Sequence, residues 1–464
     1  MELPNEPIFG TDGVRGRANS FPMTVEMALA LGRAVGQTLY RPGRHARVAI
    51  GKDTRLSCYM FENALIAGLC SMGVDTLMLG PLPTPALAFI TRAYRAAAGI
   101  MISASHNPYY DNGIKFFTEE GFKQPDEWEK GIEASIRRND FTSVLPKEEE
   151  LGKNSRVVDA DGRYIEFVKA TFPKKMTLSS MRIALDSANG AAWRVAPLIF
   201  KELDAQVHLV GHAPNGLNIN VGCGSLHPEA IQQAVIARQA DIGIALDGDA
   251  DRVVMVDEQA QIVDGDVLLA ICAADMQRRG VLRDQLVVST VMSNLGFLQA
   301  MNQLGIGVLQ TPVGDRYVLQ EMIKSGAVLG GEQSGHLIFL DHNTTADGLV
   351  AALQVLRIML ETGSRLSDLR QLFHPYPQYS LSIPVSSKLP LEELERTRSC
   401  IAAMEKTLAD KGRILLRYSG TEPLLRIMVE GPKQKLVVHY AEEIARTIQE
   451  ELACLSPSNH PTGR

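Results

Sequence analysis

Ala98-Gly99-Ile100-Met101-Ile102-Ser103-Ala104-Ser105-His106-Asn107-Pro108 decides how the rest of the chain is read. The apolar run 98–102 predicts a buried strand, and small, polar and turn-forming residues end it. A hydroxyl, an imidazole and an amide therefore stand on a loop at a strand end, where open α/β sheets bind their ligands. Asp111-Asn112-Gly113-Ile114-Lys115 follows directly, and its lysine, ten residues beyond the serine, can fold back over the loop. Ser105 is read as a hydroxyl that carries a phosphoryl group and passes it on. The competing reading is an ordinary turn, since Ser, Asn and Pro are common turn residues.

Toward the N-terminus, Phe9-Gly10-Thr11-Asp12-Gly13-Val14-Arg15-Gly16 places three glycines in eight residues. It reads as a tight loop that can approach a ligand, or as a plain turn before a helix capped by Thr24. Helical spacing runs over 25–39. A strand at 47–50, a charged loop ending in Ser57 as a cap, a helix to Met72, a strand at 74–79 and a helix to Arg95 follow. This alternation predicts a mostly parallel, helix-covered sheet. Gly51-Lys52 is not a phosphate-binding P-loop, because the residue five places before Gly51 is Ala46. The charge-rich stretch 126–153 reads as peripheral helix and linker.

The rhythm then restarts twice. A strand at 182–185, one at 206–210, turns at Pro214-Asn215-Gly216 and Gly222-Cys223-Gly224, and a strand at 242–246 lead to Asp247-Gly248-Asp249-Ala250-Asp251-Arg252, with a return strand at 253–256. Strands at 286–290 and 307–310, a helix opened by Gly314-Asp315-Arg316-Tyr317 and a strand at 328–329 lead to Gly330-Gly331-Glu332-Gln333-Ser334-Gly335-His336, followed by a helix over 346–361. After a linker marked by Pro375 and Pro377, helices at 391–408 and 433–452 enclose strands at 413–417 and 425–429. The fold class is thus α/β: three successive α/β units with mixed, mostly parallel sheets, plus a C-terminal α+β domain. Expected domains are 1–157, 158–257, 258–372 and 373–464, with a disordered tail from Ser456.

A chain of 464 residues is too long for one core. Net charge −6 without a basic run argues against nucleic acid. It leaves room for an anionic small substrate held by local arginines. The six cysteines, Cys58, Cys70, Cys223, Cys272, Cys400 and Cys454, are scattered and read as free thiols in a reducing compartment. No signal-peptide core or membrane-length apolar run is present, so no membrane partner is expected and the cytoplasm is the expected location.

Three loops carry chemistry beyond Ser105. Asp247, Asp249 and Asp251 offer carboxylates at alternate positions, a ligand set for a hard divalent cation such as Mg²⁺ or Ca²⁺. An EF-hand is excluded, because Arg252 stands where its loop needs glycine. A phosphate on Ser105 is a natural further ligand. Glu332, Ser334 and His336 suit sugar hydroxyls or an ammonium group, against a simple strand-to-strand turn. Arg417-Tyr418-Ser419-Gly420-Thr421-Glu422 with Arg426 suits a phosphate dianion, against a polar hairpin loop. His106 stays between a turn role and a chemical one, and Asp315-Arg316 reads as an ion pair or helix start.

In this order, Ser-Ala-Ser-His-Asn-Pro, Asp-Gly-Asp-Ala-Asp-Arg, Gly-Glu-Gln-Ser-Gly-His and Arg-Tyr-Ser-Gly-Thr-Glu-Pro resemble the α-D-phosphohexomutase family over about residues 5–452. The resemblance implies four domains around one central cleft. Ser105 would be phosphoserine, and Asp247, Asp249 and Asp251 would hold Mg²⁺ with that phosphate. Glu332 and Ser334 would bind sugar hydroxyls. Arg417, Ser419, Gly420, Thr421 and Arg426 would hold the non-reacting phosphate. Arg15, Lys115, Arg252 and His336 match positions lining the reaction centre. Lys115 is the first choice for acid/base work, with a lowered pKa from neighbouring cations; His336 is the second.

Tyr110-Asp111-Asn112-Gly113-Ile114-Lys115-Phe116-Phe117, Gln333 and Leu424-Leu425-Arg426-Ile427-Met428-Val429-Glu430 point to the amino-sugar branch. The implied reaction interconverts glucosamine 6-phosphate and glucosamine 1-phosphate through a 1,6-bisphosphate, feeding amino-sugar nucleotide and cell-wall precursor synthesis. Glucosamine 1,6-bisphosphate or another hexose bisphosphate would be the activator. The alternatives are a glucose or mannose phosphomutase and, more remotely, a non-catalytic sugar-phosphate sensor. Ala250 departs from the glycine of many members, which is tolerated unless the backbone there is glycine-only. Oligomeric state is left open; a homodimer is compatible with the sequence.

Overall fold

The computed structural model describes residues 4, 6–10, 12–43, 45–141, 145–385, 388–418 and 423–455. The expected phosphate-loop residues Ser419, Gly420 and Thr421 and the tail from Ser456 lie outside them. The chain packs as two units: Met1–Met292 with Leu304–Leu372, and Ser293–Gln303 with Phe373–Arg464.

The first unit holds three mixed sheets. The first comprises β1 (Val14–Arg17), β2 (Arg47–Lys52), β3 (Asp75–Pro81), β4 (Ala98–Ile102), β5 (Asp111–Thr118) and β6 (Asn154–Arg156), in the order β1-β5-β4-β2-β3-β6. Every residue of β4 is buried. It lies between β2, parallel to it, and β5, antiparallel, which is why its sequence is a continuous apolar run. Two strands were not legible beforehand. Val14–Arg17, expected as loop, pairs antiparallel with β5, and Asn154–Arg156, between the expected linker and the expected boundary near Val157, adds to β3. Both are edge strands defined by a distant partner rather than by their own pattern. Thr24 caps the helix Val25–Leu39 by accepting from Met27 N at 3.2 Å. Ser57 does not cap the helix Cys58–Ser71 with its side chain; its Oγ instead accepts from Asn112 Nδ2 at 2.8 Å.

The second sheet runs β11-β10-β9-β7-β8, from β7 (Arg182–Asp186), β8 (Gln206–Val210), β9 (Ile242–Leu246), β10 (Val253–Asp257) and β11 (Ile262–Val263). It continues past residue 257 because β11 pairs back on β10. The third runs β13-β12-β14-β15, from β12 (Leu286–Thr290), β13 (Gly307–Thr311), β14 (Leu329–Gly331) and β15 (Leu337–Phe339). One construction recurs in all three. A parallel strand (β4, β9 or β14) runs into a short loop and an antiparallel return strand (β5, β10 or β15). A loop of a few residues permits only an antiparallel return, since a parallel one needs a long crossover. Ser105, the aspartates and Glu332–His336 stand on these three loops.

The second unit is an antiparallel sheet, β16-β18-β17, made of β16 (Gln378–Pro384), β17 (Arg413–Tyr418) and β18 (Leu424–Glu430). The helices Glu395–Leu408 and Gln434–Leu455 belong to it, and Leu425, Ile427, Val429, Val437 and Ile444 are in its core. The strand β16 follows directly on the expected proline linker. The helix Leu295–Gln303 packs in this unit. Leu295 N donates to Glu430 at 3.3 Å, and Asn294 Nδ2 donates to Tyr376 O at 3.0 Å. The five cysteines Cys58, Cys70, Cys223, Cys272 and Cys400 are free. Among the described residues no helix is long and apolar enough to cross a membrane.

Candidate active site

Ser105 follows β4 with φ +51°, in the left-handed region, and is 3% exposed. Its Oγ donates to Asp247 Oδ2 at 2.5 Å, across 142 positions of sequence. Asp247, Asp249 and Asp251 are all buried, with one carboxylate oxygen from each within 4.8 Å of the others. Burial, then Asp251 and Asp249, push Asp247 well above the usual carboxylate range. Asp249 Oδ1 and Asp251 Oδ1 are buried with no hydrogen-bond partner among the described residues. Mutually repelling carboxylates with orphaned oxygens fit a hard divalent cation, which these three residues could hold. Ala250 between them has φ +57°. Its methyl is accommodated, but in a left-handed conformation that costs a non-glycine residue roughly 1–2 kcal/mol.

Lys115, on β5, points at the aspartates: Nζ lies 2.9 Å from Asp249 Oδ2, 3.5 Å from Asp251 Oδ2 and 3.7 Å from Asp12 Oδ2. Burial opposes its charge, but Asp249, Asp12 and Asp251 outweigh that and its pKa moves up. The expected lowering is therefore corrected. The neighbours that matter are carboxylates, delivered from another sheet and from the N-terminal loop. His336, on the loop before β15, is 2% exposed. Its Nδ1 lies 3.7 Å from Asp251 Oδ1 and its Nε2 3.2 Å from Asp315 Oδ2. Burial disfavours the imidazolium, yet Asp251 and Asp315 raise it to about 10.

These contacts close into a ring of alternating charge. Lys123 Nζ pairs with Asp12 Oδ1 at 2.5 Å and with Asp315, which faces His336. His336 leads to Asp251, Asp251 and Asp249 to Lys115, and Lys115 back to Asp12. Asp12, Lys123 and Asp315 lie outside the expected site residues, and Asp315, expected as an ion pair or helix start, is paired with Lys123 and His336. Only the glycines around Asp12 hinted at it. Asp12 and Asp315 are both held below the usual range against burial, chiefly by Lys123.

Arg15 pairs with Asp12, and Arg252 N donates to Asp247 Oδ1 at 3.2 Å. Glu332 is held by Gly314 N at 3.1 Å and by Ser334 Oγ at 3.2 Å. Ser334 is exposed, whereas Glu332 is 8% exposed. His106 Nδ1 is 3.3 Å from Ser105 Oγ, and burial, Arg252 and Arg15 push the imidazole down to about 4. In the second unit, Arg417 and Arg426 stand directly opposite each other on β17 and β18.

Four sequence profiles match the chain in order. Domains I, II and III of phosphoglucomutase/phosphomannomutase, each described as alpha/beta/alpha, match residues 6–143, 162–261 and 264–376, and the C-terminal domain matches 382–447. The chain belongs to the phosphoglucomutase/phosphomannomutase family. Within this family it is 65% identical to a phosphoglucosamine mutase of Protochlamydia amoebophila, covering 97% of this chain and 99% of the relative. It is 59% identical to a phosphoglucosamine mutase of Chlamydia trachomatis serovar A, over 96% and 97%. The fold is shared with a family protein from Burkholderia thailandensis, at TM-score 0.80, 22% identity and coverage of 97% and 98%.

Proposed function

We propose that this chain is an isomerase that interconverts glucosamine 6-phosphate and glucosamine 1-phosphate, with Ser105 as the phosphoryl carrier. The observation that carries the reading is the Ser105 hydroxyl set 2.5 Å from a buried aspartate triad. The choice of amino sugar rests on near-full-length likeness to phosphoglucosamine mutases.

Phosphoryl transfer asks the protein for positioning and for charge opposite the phosphoryl oxygens. A phosphoserine carries about −1.5 to −2 charges near neutral pH. Asp247, Asp249 and Asp251 would hold Mg²⁺, which would neutralise phosphoryl charge. Arg15 and Arg252 add fixed positive charge beside the triad. Lys115 is the proposed proton carrier. The carboxylates around it hold its proton, so it enters as the acid that protonates Ser105 Oγ as the phosphoryl leaves, and it is reprotonated from the attacking O1 hydroxyl. His336, held charged by two aspartates, adds to the positive field.

Glu332 and Ser334 would bind sugar hydroxyls. Arg417 and Arg426, with Ser419, Gly420 and Thr421, would hold the phosphate that is not reacting. The bound 1,6-bisphosphate turns end for end and returns its other phosphate to Ser105, so a hexose bisphosphate would also prime the enzyme. The test is Ser105→Ala: turnover should fall by at least about a thousandfold while glucosamine 6-phosphate still binds. Intact turnover, or no phosphate on Ser105 by intact mass, would refute the carrier role. Relative kcat/KM on glucosamine, glucose and mannose phosphates tests the substrate.

A further inference from the structure

Ser105 is held in its left-handed backbone conformation by two side chains that do not reach its hydroxyl. Its carbonyl oxygen accepts from Asn220 Nδ2 at 2.9 Å and from Arg55 Nη2 at 3.1 Å. The same two groups hold the carbonyl of Asn107, at 3.1 and 2.5 Å respectively. One amide and one guanidinium therefore bracket His106 and fix the loop from both ends. Arg55 is fully buried, and its other terminal nitrogen pairs with Asp53. Asn220 comes from the second α/β unit, just before the Gly222-Cys223-Gly224 turn, and is 8% exposed. It also stands at φ +60°, with its own N–H bonded to Ala188 O at 2.9 Å. A third element closes on the same carbonyl: a Cβ on Gly248, between two of the aspartates, would lie 2.4 Å from Ser105 O.

We infer that Asn220, together with Arg55, is a positioning residue that pins the Ser105 carbonyl and so aims the serine hydroxyl at the aspartate triad for phosphoryl transfer. This rests on the reading of Ser105 as the phosphoryl carrier. A non-glycine residue leaves the left-handed region when nothing holds it there. Rotation about the Ser105 backbone swings Cβ and Oγ away from Asp247. A displacement of about 1 Å in a reacting group can cost on the order of a hundredfold in rate. Among the described residues Asn220 Nδ2 donates to the two loop carbonyls and not to the hydroxyl or the aspartate side chains, and it packs against Gly248 of the aspartate loop, so its loss should act on the chemical step rather than on sugar-phosphate binding.

The test compares two variants with wild type. Asn220→Gly removes both hydrogen bonds and keeps the left-handed backbone accessible. Asn220→Asp keeps the shape and turns a donor toward two carbonyls into an acceptor. Three readouts apply: steady-state kinetics on glucosamine phosphates, the rate at which Ser105 gains phosphate from glucosamine 1,6-bisphosphate by intact mass, and the melting midpoint. For Asn220→Gly the expected result is a kcat about 10–100-fold lower, KM within about threefold, and phosphate gain slowed in parallel. Asn220→Asp should fall further. A kcat within about threefold of wild type in either folded variant would overturn the proposal, as would a loss carried wholly by KM. If Asn220→Gly melts below the assay temperature, Asn220→Asp decides on the same criteria. Ser105→Ala separates the two layers. An active Ser105→Ala enzyme removes the carrier reading and this inference with it. An inactive one beside fully active Asn220 variants removes this inference alone.

Discussion

Asp347 links folding stability to pH in a way that tests how the Asp247–Asp251 loop is supported. It caps the helix Gly348–Thr362, accepting from Leu349 N and Val350 N at 3.1 Å each. It also accepts from Tyr164 Oη at 3.0 Å and from Asn343 Nδ2 at 3.3 Å. The first helical N–H, Gly348 N, donates to Ala250 O at 3.0 Å, between Asp249 and Asp251. Burial raises Asp347 from 3.8 to about 6 despite these donors. Because the folded pKa lies above the unfolded one, the native state binds the extra proton between the two values. The stabilising contribution is full below 3.8 and is lost as pH rises through about 6. At 1.36 kcal/mol per pKa unit, the loss totals about 3 kcal/mol, of which about 1.4 kcal/mol falls between pH 5 and pH 8.

Asp347→Asn can still cap the helix but does not titrate. Its stability relative to wild type should therefore rise by about 1.4 kcal/mol from pH 5 to pH 8. Urea unfolding followed by tryptophan fluorescence reads this directly, since Trp128 and Trp193 both lie in the first packing unit. Parallel pH profiles for the two proteins, within about 0.3 kcal/mol, would refute the buried-carboxylate account.

Two further outcomes follow from the site. Adding Mg²⁺ should raise the melting midpoint of wild type, by the equivalent of about 2.7 kcal/mol at a hundred times Kd, and should fail to do so in Asp249→Asn; equal shifts in both would argue against the triad as the cation site. Arg417→Ala should raise KM for the sugar phosphate about 10–100-fold through loss of a charge-assisted bond, with kcat less affected. An unchanged KM would count against the paired arginines as a phosphate site.

The strands Ala98–Ile102, Ile242–Leu246 and Leu286–Thr290 were legible in the sequence because burial on both faces leaves a continuous apolar run. The loops after the first two, and the glycine-flanked loop of Glu332 and His336, were legible because turn chemistry is local. The triad's fitness for a cation followed from ligand type and spacing alone. Edge strands such as Val14–Arg17 and Asn154–Arg156 were not legible, because only a distant partner makes them strands. The grouping of Leu295–Gln303 with the C-terminal strands was hidden for the same reason.

What the amino-acid order determined by itself is the inventory: which elements form, and which reactive groups stand at their ends. Only the tertiary structure decided how those groups act on one another. It closed Asp12, Lys123, Asp315 and His336 into one ring with Lys115 and the aspartates. It reversed the expected shift of Lys115 by surrounding the ammonium with carboxylates. It also brought Asn220 onto the carbonyl of a serine 115 positions away. The reason is physical: secondary structure and turns depend on neighbours in sequence, whereas charge, burial and hydrogen-bond partners depend on distances that exist only once separate sheets have packed.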